Sequence, residues 1–217
     1  MTVTDRAGGG LPAWWGPLRE RALAVRAGDL PEPRAPVGAG RPGAVLILFG
    51  QQEATGPDVV IIERAATLRN HAGQCAFPGG GAEPGDGGPA GTALREAAEE
   101  IGLRPATVEV VATLPELWLN VSSYLVTPVL AWWREPHPVS ALDPGEVARV
   151  ERLPVAELAD PAHRFQVRHA SGYVGPAFRT RSMLIWGFTG AIVDLLLELG
   201  GWAVPWDRDR VEPLTSP

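Results

Sequence analysis

Apolar runs bounded by glycine and proline divide the chain into short, separate elements of secondary structure. The runs GAVLILFG at 43–50 and DVVIIER at 58–64 are rich in β-branched residues, and this pattern predicts two buried strands. A third strand, over 73–81, is predicted to end in a glycine turn. Further apolar segments predict strands at 107–115, 122–133 and 146–154 and a hairpin that turns at 170–172. The pattern is therefore rich in strands.

Helical periodicity separates these strands into groups. The segment TALREAAEEIGL predicts a helix in which Thr92 caps the N-terminus and Gly102 ends the last turn. The stretch 81–91 before it contains five glycines and two prolines and is therefore predicted to be a loop. Other helices are predicted at 11–26, at the start of VAELADP (155–161) and from about Arg181 to Leu199.

The order of elements, strands then a helix then more strands and a closing helix, predicts an α+β fold with a mixed sheet between helices. We expect an N-terminal helix and Pro/Gly-rich linker over 1–42, one main domain over 43–207 and a C-terminal tail over 208–217. Uncharged residues in the most hydrophobic segment run only from 182 to 193, which is too short for a membrane span. We therefore expect no membrane partner.

Composition narrows the function classes. The chain has 217 residues and a net charge of −6, which argues against non-specific binding to nucleic acid. All 19 basic residues are Arg, which is typical of a GC-rich bacterial genome. The single Cys75 excludes an internal disulfide and a cysteine-based zinc site, and it fits a reducing cytoplasm. These features predict a cytoplasmic bacterial protein that acts on a small molecule.

The helix after the glycine loop carries the candidate chemistry. Glu96, Glu99 and Glu100 stand at i, i+3 and i+4, which a helix places on one face. Arg95 offsets part of their mutual repulsion, and a hard divalent cation such as Mg²⁺ or Mn²⁺ offsets it better, because it prefers oxygen ligands. The pattern alone permits either a metal-binding face or an ordinary solvated acidic face. A glycine run directly upstream, at 79–81, favours the metal-binding face.

Residues 80–103 resemble the Nudix box, G-x5-E-x7-R-E-U-x-E-E-x-G-U, in which U is an aliphatic residue. From Arg95 to Leu103 every specified position matches, with Ala97 as the aliphatic residue. The resemblance implies an α/β/α sandwich with a mixed sheet. It also implies hydrolysis of a diphosphate joined to another moiety, with Mg²⁺ or Mn²⁺.

The first half of the box departs from the pattern. Gly87 stands where the spacing to Arg95 requires Glu, and Asp86 is the carboxylate at the required spacing after Gly80. The loop is therefore one residue longer than the pattern, with Asp86 as the displaced acid. The resemblance implies a catalytic role for Arg95 and the three glutamates. The metal-site candidates are Glu96, Glu99, Glu100, Gly80 and Asp86.

A second resemblance lies upstream of the box. The run L-R-x-H-x-G-Q-x-x-F-P-G-G, from 68 to 80, is similar to the signature of the coenzyme A diphosphatase branch of the Nudix family. Guanidinium groups suit phosphate recognition, although surface pairing of Arg64 with Glu63, and a purely loop-ordering role for His71, are open alternatives. The substrate-binding candidates are Arg64, Arg69, His71, Gln74, Phe77, Gly79 and Gly80.

Glu146, after a proline turn in DPGEV, is a candidate metal ligand or general base from outside the box, against an ordinary acid at a strand entry. The resemblance implies cleavage of coenzyme A or acyl-CoA to 3',5'-ADP and (acyl-)4'-phosphopantetheine by a monomer or homodimer. Two alternatives are open. One is hydrolysis of another nucleoside diphosphate derivative, such as ADP-ribose or a dinucleotide. The other is a non-catalytic nucleotide-sensing module.

Overall fold

The computed structural model describes residues 10–29, 40–68, 70–119 and 122–214, and these residues form two sheets and four α-helices. The larger sheet contains β1 (Arg41–Gln52), β2 (Gly56–Arg64), β3 (Cys75–Ala76), β4 (Gly79–Gly81), β5 (Val108–Thr113), β6 (Leu117–Leu119), β7 (Tyr124–Trp133) and β8 (Val147–Pro154). The smaller sheet contains β9 (Arg164–Arg168), β10 (Val174–Arg179), β11 (Leu184–Ile185) and β12 (Val211–Pro213). The helices are α1 (Trp15–Ala24), α2 (Pro89–Ile101), α3 (Val155–Ala159) and α4 (Gly187–Gly200).

The larger sheet is mixed, as the sequence predicts. Its central path runs β3-β2-β1-β7-β5, with β4 paired to β1, β6 to β7 and β8 to β2. β1 and β7 are parallel, whereas the other pairings in this sheet that the structure describes are antiparallel. The apolar runs that predict strands at 43–50 and 58–64 form the buried centre of this sheet.

One face of the larger sheet is covered by α2. Ala93, Ala97 and Ile101 of the helix are fully buried against Leu46 and Val129 of the sheet. Two of the three are alanines, so the helix approaches β1 and β4 closely and the longer side chains project from its other face. This contact fixes the helix on which the acidic residues lie.

The opposite face is covered by the other helices and by the smaller sheet. Trp15 and Leu18 of α1 and Ile192 and Leu196 of α4 are buried in one cluster with Ile47 of β1. Alternate residues along a strand face opposite sides, so β1 contributes to both apolar layers. The arrangement is an α/β/α sandwich, and the expected fold class is confirmed.

Three element boundaries differ from the predictions. Helix α2 begins at Pro89, and Thr92 lies inside it and donates its hydroxyl to Asp86 Oδ2 at 2.8 Å, so Thr92 is not the cap. The segment 73–81 forms β3 and β4 with Phe77 and Pro78 between them, because proline has no N–H for the ladder. Gly102 does end the helix in the left-handed region, with φ +70°.

The closing helix begins later than the predicted residue 181. Thr180 Oγ1 accepts the backbone N–H of Met183 at 3.0 Å and forms a turn. Leu184 and Ile185 then pair with β10, and the helix starts at Gly187, whose φ of +63° favours glycine. Apolar strand and apolar helix are continuous in sequence here, so periodicity alone does not separate them.

The proposed division into linker, domain and tail also needs correction at both ends. Helix α1 packs into the main core, and residues of the supposed tail form β12, which pairs with β9 from Val211 to Pro213. Leu214 packs against the apolar cluster of the smaller sheet. Within the described part of the chain, no helix is both long and apolar enough to cross a membrane.

A buried ion pair under α4 explains an acid in an otherwise apolar segment. Arg164 of β9 is 1% exposed and forms a salt bridge with Asp194 of α4. Its guanidinium carbon lies 5.3 Å from the ring of Phe178 and 4.7 Å from that of Trp206. Asp194 therefore joins the helix to the smaller sheet.

Candidate functional site

The glycine strand β4 brings α2 and β1 together at the site. Gly80 pairs with Ala44, and a Cβ on Gly80 would lie 2.5 Å from Cδ of Glu96. A side chain at this position would therefore displace the Glu96 carboxylate from its place against the strand. Burial raises the pKa of Glu96 against the opposing effect of Arg95.

Glu100 is the most buried acid of α2. Its side chain is 7% exposed, and its Oε2 accepts the backbone N–H of Gly79 at 2.9 Å. Burial, together with the negative charges of Glu96 and Glu146, raises its pKa to about 7, while the Gly79 N–H and Arg64 oppose the change. The structure therefore brings Glu96, Glu100 and Glu146 into one electrostatic neighbourhood.

Arg95 connects the acids of the helix to the loop before it. Its guanidinium donates to Asp86 at 2.9 Å, to Glu96 at 3.1 Å, to Glu99 at 3.0 Å and to the carbonyl of Gly81 at 2.8 Å. Asp86, first among these partners, raises the pKa of Arg95 above its usual range. Arg95 is therefore always charged and fixes two of the three box glutamates.

The described hydrogen bonds of Asp86 are all to residues of the loop and of helix α2. Besides Arg95, its Oδ2 accepts the hydroxyl of Thr92 and the backbone N–H of Glu83, both at 2.8 Å. Arg95, with these two donors, holds the pKa of Asp86 below its usual range. A metal-ligand role for Asp86 stays a prediction.

The adjacent Gly87 explains why the expected glutamate is absent from its usual place. Its φ is +71°, in the left-handed region that favours glycine, and Gly88 follows with φ +119°. The loop needs this conformation to reach Pro89, the first residue of α2. The backbone therefore requires glycine where the spacing rule requires an acid.

The acids suit a divalent cation by their chemistry. They are carboxylates on one rigid helix, and together with Glu146 they carry more negative charge than Arg95 and Arg64 balance. Among the residues that the structure describes, no three His, Cys, Asp or Glu side chains stand together as a finished metal site. Glu99 is 60% exposed and paired to Arg95, and Glu96 is turned towards Arg95 as well.

Arg64, at the end of β2, lies close enough to Glu100 for its positive charge to lower the pKa of that acid. Its Nε is buried and has no hydrogen-bond partner among the described residues. Glu63, which the sequence offers as its partner, instead pairs with Arg149, and the same guanidinium donates to the carbonyl of Ser182. The alternative in which Arg64 pairs with Glu63 is therefore wrong.

The loop between β2 and β3 holds the other substrate candidates. His71 has φ +56°, and its Nδ1 lies 2.8 Å from Gln74 Oε1, so the two side chains are bonded to each other. Backbone bonds join Arg64 to Gln74 and Gly73, which draws this loop to the end of β2. The predicted Arg69 lies outside the described residues.

Phe77 is a correction to the predicted substrate set. It is 2% exposed and packs in the same core cluster as residues of α4, so its side chain is not available to a substrate. Gly79 donates its backbone N–H to Glu100, and its role in substrate binding stays a prediction.

Glu146 is exposed and is positioned through its backbone. Its N–H donates to the carbonyl of Asp143 at 3.0 Å, and its carbonyl accepts the N–H of Ala65 at 2.9 Å. Because Ala65 follows Arg64, this bond places Glu146 beside both Arg64 and Glu100. The sequence does not reveal that the segment before Glu146 also crosses the end of α2, where Leu142 N–H donates to the carbonyl of Glu100 at 3.0 Å.

The comparisons with known proteins agree with this geometry. The family model described as "NUDIX domain" matches residues 40–173. The chain is 36% identical over 149 residues to an uncharacterized Nudix hydrolase, NudL, of Cronobacter sakazakii, covering 66% of this chain and 76% of that protein. It is 35% identical over 167 residues to NudL of Escherichia coli strain SMS-3-5, covering 74% and 83%.

Among solved structures, a Nudix hydrolase from M. smegmatis, RenU, is similar in fold. Its TM-score is 0.53 at 20% sequence identity, and the match covers 77% of this chain and 90% of that one.

Proposed function

Because this chain belongs to the Nudix hydrolase family, we propose that it cleaves the diphosphate of coenzyme A or acyl-CoA to 3',5'-ADP and (acyl-)4'-phosphopantetheine. Nudix hydrolases generally use divalent metal ions, and we propose Mg²⁺ or Mn²⁺ here. The proposed site of action is the cytoplasm, in keeping with the single buried Cys75.

The observation that supports this substrate is the buried Nε of Arg64, which has no hydrogen-bond partner among the described residues and lies near Glu100 of α2. Coenzyme A carries a 3'-phosphate besides its diphosphate, so it needs cationic groups beyond those that a diphosphate alone requires. A charge-assisted contact from Arg to phosphate contributes about 1.5–3 kcal/mol. Arg64 adjoins the loop that carries His71 and Gln74, the segment similar to the coenzyme A diphosphatase signature.

The residues divide the work of the reaction. Glu96, Glu99 and Glu100 would hold the metal, which when bound neutralises diphosphate charge and lowers the barrier to attack by water. Glu146 accepts a proton from the attacking water as the oxygen of that water bonds to phosphorus. The bridging P–O bond then breaks, and the second phosphate group leaves with the bridging oxygen and its electron pair. Arg95 keeps Glu96 and Glu99 oriented, and Arg64 binds phosphate.

A substrate panel with products identified by mass tests the proposal. Coenzyme A, acetyl-CoA, dephospho-CoA, ADP-ribose and a dinucleotide are each incubated with Mg²⁺ or Mn²⁺, with the Glu100→Gln variant as the matched inactive control. We expect 3',5'-ADP from coenzyme A, and its loss on addition of a chelator. A preference for ADP-ribose or the dinucleotide overturns the substrate assignment, and the absence of metal-dependent turnover on every substrate supports the non-catalytic alternative.

A further inference from the structure

The connection between β7 and β8, residues 134–146, is bound along the C-terminal end of α2. The N–H of Ser140 donates to the carbonyl of Ile101 at 3.2 Å, and that of Leu142 donates to the carbonyl of Glu100 at 3.0 Å. The last carbonyls of a helix have no partner within the helix, so this connection satisfies two of them. The same connection ends at Glu146, the proposed base.

His137 makes a third attachment of this connection, just past the end of α2. Its Nε2 lies 3.1 Å from the backbone nitrogen of Arg104, and its Nδ1 lies 2.9 Å from the carbonyl of Pro138. The backbone N–H of Arg104 is a donor, so Nε2 must offer a lone pair, and the carbonyl at Nδ1 must receive a hydrogen. The ring is therefore held as the neutral tautomer with its hydrogen on Nδ1.

A proton added to this ring has one available place, and that place is blocked. It would sit on Nε2 and point at the N–H of Arg104, which replaces a hydrogen bond by two opposed donors. Imidazole is the side chain that ordinarily takes up a proton in mildly acidic solution.

The surroundings do not supply a compensating acid bonded to the ring. In the part of the chain that the structure describes, the two ring nitrogens bond only to Arg104 N and Pro138 O. The ring edge packs on Trp133, with centroids 5.3 Å apart. The charged groups that face it are Arg104 after α2, Arg134 and Glu135 of its own connection, and Glu151 and Arg152 of β8. Arg152 is itself paired with Asp58 and Glu135 with Arg134.

We propose that His137 is a positioning residue that, in its neutral form, fastens the 134–146 connection to the end of α2 and so fixes Glu146 beside Glu100, and that its protonation releases the connection. The effect on turnover rests on the proposed function, because it requires Glu146 to act in the reaction. The release of the connection does not depend on the proposed function, so it can be measured even if the protein has no such activity.

Hydrogen exchange measured by mass spectrometry tests the attachment without any substrate. Peptides covering 98–104 and 134–146 are compared at about pH 7.5 and about pH 5.5, after correction for intrinsic exchange rates. We expect exchange in the wild type to be several-fold faster at the lower pH. His137→Gln keeps an acceptor for Arg104 N–H and takes up no proton, so it should stay protected at both values. His137→Ala should exchange fast at both.

Two features make the comparison specific. His169→Gln, in the turn between β9 and β10, is the matched control and should behave as wild type. Glu100 also titrates in this range, because its pKa is raised to about 7, but it does so in every variant, so the difference between wild type and His137→Gln belongs to His137. If lowering the pH increases hydrogen exchange equally in the wild type and in His137→Gln, the proposal is wrong.

Kinetics provide the second measurement. At about pH 5.5, His137→Gln should keep a kcat several-fold above that of the wild type with a similar KM, and the two should agree at about pH 8. Equal kcat values at both pH values, together with the expected exchange pattern, would show that the connection is released without moving Glu146, which overturns the positioning role. Absence of turnover in the wild type contradicts the proposed function and leaves the exchange result to decide the attachment.

Discussion

Helices α2 and α4 cover opposite faces of one sheet, and their acidic side chains differ in the cations that they contact. Both end at a left-handed glycine, Gly102 or Gly201. On α4, Asp194 has a dedicated partner in the buried Arg164. On α2, Arg95 is shared among several carboxylates, and the acid with the greatest burial, Glu100, has no arginine bonded to it among the described residues. An acid with its own buried arginine stabilises the fold, whereas a buried acid without a bonded arginine indicates a site for a cation.

The strongest test of this contrast removes charge from each helix. Glu100→Gln or Glu99→Gln should lower turnover at least about 100-fold, or about 2.7 kcal/mol, because metal ligation supplies several kcal/mol of transition-state stabilisation. Glu198→Gln on α4 is the matched control and should leave turnover unchanged. Steady-state rates at saturating Mg²⁺, with circular dichroism to verify the fold, measure the effect. Near-normal rates in both α2 variants would exclude a role of these two acids in the reaction.

The same Glu100 substitution should act on stability in the opposite direction. The folded-state pKa of about 7 lies above the ordinary value of 4.5, so the folded protein binds this proton more tightly than the unfolded chain. Wild-type stability therefore falls as pH rises from about 4.5 to about 7. Without divalent metal, Glu100→Gln should be more stable by up to about 3 kcal/mol above pH 7 and gain nothing near pH 4.5.

Urea unfolding in the presence of a chelator, across this pH range, measures the difference. Glu198→Gln should show a flat difference from wild type. A gain for Glu100→Gln that does not change with pH would mean that ionisation of Glu100 is not the cause. Addition of Mg²⁺ should reduce the gain, because the wild-type carboxylate then has a cation beside it.

The arginines near α2 are also expected to differ in function from those of the smaller sheet, on the opposite face. Arg64→Ala should lower kcat/KM for coenzyme A about 10- to 150-fold more than for dephospho-CoA, since one phosphate contact of 1.5–3 kcal/mol is lost. Arg69→Ala is expected to act in the same way. The comparison of two substrates removes general damage to the site, and Arg179→Ala in the smaller sheet serves as a control. Equal losses for both substrates would assign these arginines to the shared diphosphate or to the loop.

The smallest expected effect comes from paired core substitutions. Ile192→Val on α4 and Ile101→Val on α2 remove one methylene from fully buried sites and should each cost about 0.5–1.5 kcal/mol of unfolding free energy. Only Ile101→Val should also lower kcat, by about 2- to 3-fold, because it shifts a helix that holds reacting groups. Chemical denaturation and steady-state kinetics measure the two parameters. Equal changes in kcat for the two variants would show that α2 is no more closely coupled to turnover than α4.

The strands and the acidic helix are predictable from sequence because their signals are local. The apolar run at 43–50 becomes β1, and the spacing of Glu96, Glu99 and Glu100 places them on α2. The start of α4 is not predictable in this way, because the turn at Thr180 and the strand at Leu184 have the same apolar composition as the helix. Local periodicity cannot show which of two sheets an apolar segment joins.

The ion-pair partners of the charged residues cannot be predicted from the sequence either. Glu63 is next to Arg64 in the chain, yet it pairs with Arg149 from β8, which lies 86 residues away. Phe77 belongs to the signature that suggests a substrate contact, but the connection between β3 and β4 places it in the core. Such choices depend on strand pairing over long sequence separations, so only the folded structure shows that Glu63 does not pair with Arg64.

The longer loop before α2 shows how much change this motif tolerates. Adding one residue to a loop of about eight changes the entropy of loop closure by only about 0.1 kcal/mol. The pairing of Asp86 with Arg95 is kept, although the acid is one methylene shorter than Glu and one position earlier than the pattern specifies. Insertions are therefore inexpensive in this loop as long as a carboxylate still reaches Arg95. Within α2 the same insertion would rotate the acids by about 100° away from the sheet edge. The loop half of the motif therefore tolerates an insertion, whereas the helical half does not.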